Sequence, residues 1–75
     1  MESIIVTEQG YKVRLVCRHF VGEWDGVEMY EILSGLRKGK FTVSFIVDGN
    51  IRIAFTGPQG MAEDKFAEFL EMMAE

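Results

Sequence analysis

Phe41-Thr42-Val43-Ser44-Phe45-Ile46-Val47-Asp48-Gly49-Asn50-Ile51-Arg52-Ile53-Ala54-Phe55-Thr56 is the stretch that decides the fold. Apolar and polar residues alternate on either side of Asp48-Gly49-Asn50, the period of half-buried strands. With those three residues as the loop, Val47 faces Ile51, Phe45 faces Ile53 and Val43 faces Phe55, so one side of the hairpin is wholly apolar. The opposite side pairs Ile46 with Arg52, Ser44 with Ala54 and Thr42 with Thr56. Asn50 accepts the left-handed conformation on which such a loop ends. A two-residue loop at Asp48-Gly49 or Gly49-Asn50 would mix the two faces, so the three-residue loop is expected.

Upstream, residues 3–7 are rich in β-branched types and read as a strand. Residues 11–20 alternate again, with Tyr11, Val13, Leu15, Cys17 and His19 on one face and Lys12, Arg14, Val16, Arg18 and Phe20 on the other. A Gln9-Gly10 loop pairs Val6 with Val13 and Ile4 with Leu15. Val21 to Gly26 is a loop. Residues 26–37 support two readings. Asp25 and Glu28 fit a helix cap, and Met29, Ile32, Leu33 and Leu36 form a helical stripe, which favours a helix. Gly35 within it opposes a helix, and an irregular strand pairing back on 11–20 is the competitor.

Downstream, Gly57-Pro58-Gln59-Gly60 breaks the sheet. Residues 61–74 read as a helix whose apolar stripe is Ala62, Phe66, Phe69, Leu70 and Met73, with Glu63 and Asp64 in its first turn. The expected fold is α+β, an antiparallel sheet of about four strands. Its two hairpins, 3–7 with 11–20 and 41–47 with 51–56, pack against a C-terminal helix at 61–74, with a second helix or irregular strand at 26–37.

The 75 residues leave room for one domain, residues 1–75, with one core. An apolar share of 48%, with six Phe, is more than so small an interior hides, which points to a partner or a second copy. Cys17 is the only cysteine, so no internal disulfide forms, and a lone thiol suits a reducing, cytoplasmic setting. No stretch has the roughly 20 apolar residues of a membrane span, and the N-terminus lacks the basic start of a secretory signal.

Catalytic patterns are sparse. Cys17 and His19 point to one strand face, but nothing nearby would stabilise a thiolate, so packing is the expected role. Glu23, Asp25, Glu28 and Glu31 do not follow a calcium-loop pattern, and no phosphate-binding glycine motif occurs. No enzyme activity, metal or cofactor is expected.

The charge layout is more informative. The net charge of −4 lies entirely in residues 61–75, which carry Glu63, Asp64, Glu68, Glu71 and Glu75 against Lys65. The expected function is that of a small regulator or inhibitor binding another protein through the acidic helix face (Glu63, Asp64, Glu68, Glu71) and Trp24. Self-association would use Ile5, Val16, Phe20 and Ile46. Small acidic proteins of this kind are common among the accessory proteins of mobile elements and phages. The alternative is a nucleic-acid-binding module using a basic sheet face, Lys12, Arg14, Arg18 and Arg52, with Phe20 stacking on bases. Arg37, Lys38 and Lys40 form a second basic group in a loop.

Overall fold

The computed structural model describes residues 4–74. Five strands and one helix follow one another: β1 (Ile4–Val6), β2 (Lys12–Phe20), β3 (Gly26–Ile32), β4 (Phe41–Val47), β5 (Asn50–Gly57) and α1 (Gln59–Ala74). The strands form one sheet in chain order, and every neighbouring pair is antiparallel. The α+β class therefore stands, with one strand more than expected. Ser3, the first residue of the predicted N-terminal strand, lies outside the described residues.

The extra strand is the ambiguous segment. Gly26–Ile32 is a strand, and the helix favoured at 26–37 does not form. Its residues are buried on both sides of the sheet, which removes the alternation by which a strand is recognised. The remainder of that segment is the β3–β4 connection, closed by Gly39 N–H on Ile32 C=O at 2.9 Å and Ile32 N–H on Lys40 C=O at 2.9 Å.

Both predicted registers change. In the last hairpin, Val47 pairs with Asn50, so the loop is the two-residue Asp48-Gly49 turn that pattern alone disfavoured. Asp48 and Gly49 have φ of 53° and 80°, the paired positive values of a tight hairpin turn matched to strand twist. The faces are indeed mixed: Ile46 faces Ile51 and Ser44 faces Ile53. A bulge at Ala54 then restores the pairing of Val43 with Phe55. In the first hairpin the connection spans residues 7–11, with Thr7 N–H donating to Tyr11 C=O at 2.8 Å. That longer connection pairs Ile5 with Val13, and Val6 with Lys12.

A second bulge, at Val16, interrupts the pairing of β2 with β3. Leu15 faces Tyr30, but Cys17 faces Met29. Side chains alternate along a strand, so one extra residue moves everything beyond it to the opposite face.

Helix α1 lies against β3, β4 and β5. It begins at Gln59, with Ala62 N–H on Pro58 C=O at 2.9 Å, so Glu63 and Asp64 sit in the second turn rather than the first. Its predicted stripe is the one that packs: Ala62, Phe66, Phe69, Leu70 and Met73 meet Val27, Met29, Phe41 and Val43. Ala62 is fully buried, and the rings of Phe45 and Phe69 lie 4.5 Å apart between centroids. Among the described residues no helix is long and apolar enough to cross a membrane.

Candidate functional site

The face of the sheet turned away from α1 can be read across the strands in rows. One row runs Phe20, Gly26, Ile46, Ile51, and the next Arg18, Glu28, Ser44, Ile53. Beyond these come Leu15, Tyr30, Thr42, Thr56, and then Ile5, Val13, Ile32. The middle of this grid is buried, with Val13, Tyr30, Ile32 and Ile46 forming its apolar floor. Its margins are not: Ile5, Phe20, Ile51, Ile53 and the neighbouring Trp24 are between 45% and 63% exposed. No helix of the described chain covers this side. It is an apolar sheet face without a lid, the kind of patch that marks an interaction surface.

A charge sits within this face. The side chain of Glu28 is 0% exposed, and its Oε2 accepts from Arg18 Nε at 2.5 Å and from Tyr30 Oη at 3.1 Å. Arg18 is 42% exposed, and its guanidinium carbon lies 6.0 Å from the centroid of the Phe20 ring. The hydrogen bond to Glu28 raises the Arg18 pKa from an already high value. Burial, and then the charge of Glu28, push the Tyr30 phenol up from its ordinary value. Among the described residues, two buried side-chain oxygens have no protein partner, Glu28 Oε1 and Thr7 Oγ1. Each belongs to a residue lining a shallow recess of this same face.

The recess beside Glu28 has a volume of about 240 Å³. Gly26 pairs with Phe20 on β2 and Ile46 on β4, two of the residues that line it, and adds no side chain between them. A Cβ on Gly26 would come within 2.4 Å of the His19 carbonyl oxygen, so β3 can run here only with glycine. Trp24 closes the outer end and is anchored by backbone: Gly49 N–H donates to Trp24 C=O at 2.9 Å, and Asp48 N–H donates to Asp25 Oδ1 at 2.9 Å. The 21–25 loop is thus fastened to the β4–β5 turn.

The residues expected to form a basic sheet face do not share one. The Val16 bulge separates them: Arg18 and Phe20 are on the open face, whereas Lys12, Arg14 and Arg52 belong to the helix side. Arg14 is ion-paired with Glu31. Glu63, Asp64, Glu68 and Glu71 are exposed on α1, with Lys65 Nζ 3.2 Å from Glu68 Oε2. Trp24 is exposed as expected, but it stands beside the open sheet face. Ile5, Phe20 and Ile46 do share the open face, while Val16 is the inserted residue of the bulge. Cys17 and His19 share the helix side; burial, and then the nearby Glu63 charge, push the Cys17 thiol up, against nucleophilic use.

A helical reading of 26–37 hides Glu28 and Tyr30, and a three-residue loop at 48–50 places Ile51 and Ile53 on the other face of the sheet. One signal was present: Arg14 with Glu31, and Arg18 with Glu28, are opposite charges nested about a single loop, as cross-strand pairs of one hairpin must be. No family model, no curated protein and no solved structure matches the chain.

Proposed function

We propose that this is a small non-enzymatic binding protein, a regulator or inhibitor that acts by protein–protein contact, and that the open sheet face is its contact surface. The observation that carries this is the row of large apolar side chains standing exposed at the margins of a sheet face whose floor is already buried. Isolated exposed apolar residues are ordinary, but a contiguous set on one face is not. A cytoplasmic setting accords with the lone thiol. An origin among mobile-element or phage accessory proteins accords with the small size and acidity.

The acidic face of α1 lies on the other side of the sheet from this surface, so its exposed charges bear on the encounter with the partner rather than on the contact itself. Nucleic acid is the less favoured partner, because the basic residues are divided between two faces and the net charge is −4. The test is capture from a lysate of the producing cell with the wild type, Ile53→Arg and Glu68→Lys. Ile53→Arg should abolish capture of any specific partner and Glu68→Lys should weaken it less than tenfold. Equal capture by wild type and Ile53→Arg rejects the surface. A dimer that Ile53→Arg converts to monomer in sedimentation would make the partner a second copy.

A further inference from the structure

We infer that the recess over Gly26 is a socket for a single aromatic side chain bearing a hydrogen-bond donor, tyrosine or tryptophan, presented by the partner protein. This rests on the protein-binding reading above and names the chemistry that the surface recognises.

Size comes first. At about 240 Å³ the recess falls below the roughly 300–1,000 Å³ of sites for cofactors and drug-sized ligands, and it suits one large side chain. Its walls come next: Phe20 and Trp24 offer aromatic surface, and Ile46 and Ile51 offer aliphatic surface. A flat ring is the group that gains most from such walls. The third feature is polar. Glu28 Oε1 is buried without a donor, while Oε2 already has two. A buried acceptor left empty is costly, and the occupant that supplies its donor recovers that cost. Arg18 already balances the charge of Glu28, so a neutral N–H or O–H fits where a lysine or arginine would add an unbalanced positive charge. Reaching Oε1 requires the occupant to turn aside Arg18 and Phe20, which are about half exposed on one side of the recess. Tyrosine and tryptophan are also the residues that most often anchor protein interfaces.

The experiment titrates ¹⁵N-labelled protein with indole and, separately, with 1-methylindole, which keeps the ring and lacks the N–H. Indole should produce saturable shifts centred on Phe20, Trp24, Gly26 and Glu28, and 1-methylindole should bind about threefold to tenfold more weakly, the effect of one hydrogen bond. Trp24→Ala, at an exposed position, should lose indole binding while its remaining spectrum shows the fold retained. Equal affinity for the two indoles overturns the donor assignment, and an absence of saturable shifts overturns the socket. Saturation of the same residues by adenosine monophosphate, with no response to indole, would assign the recess to nucleic acid and also overturn it. If indole fails while Ile53→Arg still abolishes partner capture, only the socket is rejected; if Ile53→Arg has no effect, the protein-binding surface itself is rejected.

Discussion

On the helix side of the sheet, Val27 and Val43 are fully buried, Ala62 lets α1 approach closely, and the Phe45–Phe69 ring contact closes the layer. On the other side, Tyr30 and Ile46 are nearly as well buried, yet Ile51 and Ile53 beside them stand more than half exposed and Glu28 brings a charge to the middle. The two faces are similar in apolar content and differ in what finishes them. One is completed by the chain's own helix. The other has a dry floor, an exposed apolar margin and a carboxylate with one oxygen unsatisfied. A single helix can close only one face of a sheet, so a sequence that makes both faces apolar leaves one that its helix does not cover.

The sharpest way to break this contrast is to truncate a matched pair. Phe69→Ala on the covered side should cost about 2–3 kcal/mol in urea unfolding, below the range for a fully buried Phe because Phe69 is only half-buried. Ile53→Ala on the open side should cost less than about 1 kcal/mol, a matter of strand preference at an exposed site. Equal costs would mean that the open face is closed in the isolated protein.

Next in size is the ion pair. Arg18→Ala leaves Glu28 buried with Tyr30 as its remaining donor. The loss of one partner of a fully buried pair costs about 3–5 kcal/mol, and the exposure of Arg18 reduces this to about 1–2 kcal/mol. Arg18→Met combined with Glu28→Leu should restore stability to within about 1 kcal/mol of wild type, because it removes the charge and its partner together. A double variant as unstable as Arg18→Ala would show that the pair holds the face together.

The smallest effect is in alkaline solution. The Tyr30 pKa is raised in the fold, so the fold favours the neutral phenol. That contribution is full below the ordinary value of 10.0 and is lost as pH rises through the higher folded value. Cys17, raised from 9.0, acts in the same direction. Tyr30→Phe should be about 1 kcal/mol less stable at neutral pH, through loss of the bond to Glu28, and its melting temperature should fall less steeply above pH 10.0. An unchanged alkaline slope would remove Tyr30 from this account.

Much of the covered side was legible. The helical stripe from Ala62 to Met73 and the pairing of Val43 with Phe55 both stand. The open side was not, for a physical reason. A period-two pattern assumes unbroken strands, and bulges at Val16 and Ala54 each transfer the residues beyond them to the other face. Unbroken alternation places Ile51 and Ile53 with Phe45 on the covered side and groups Arg18 with Lys12 and Arg14. Alternation argues against the Asp48-Gly49 turn because it mixes the faces, yet its dipeptide is one such turns favour. Glu28 reads as a helix-capping residue because Met29, Ile32, Leu33 and Leu36 happen to repeat at helical spacing.

The chain-order arrangement of the strands has a kinetic meaning. Each strand pairs with the one just made, so no strand must wait for a distant segment, and the entropy of closing long loops is largely avoided. Only the helix reaches back across several strands, and it grips β3, β4 and β5. β1, three exposed residues at the sheet edge, is paired among the described residues with β2. Opening of the native state should therefore run inward from that edge, with backbone amides around β4 the last to exchange with solvent.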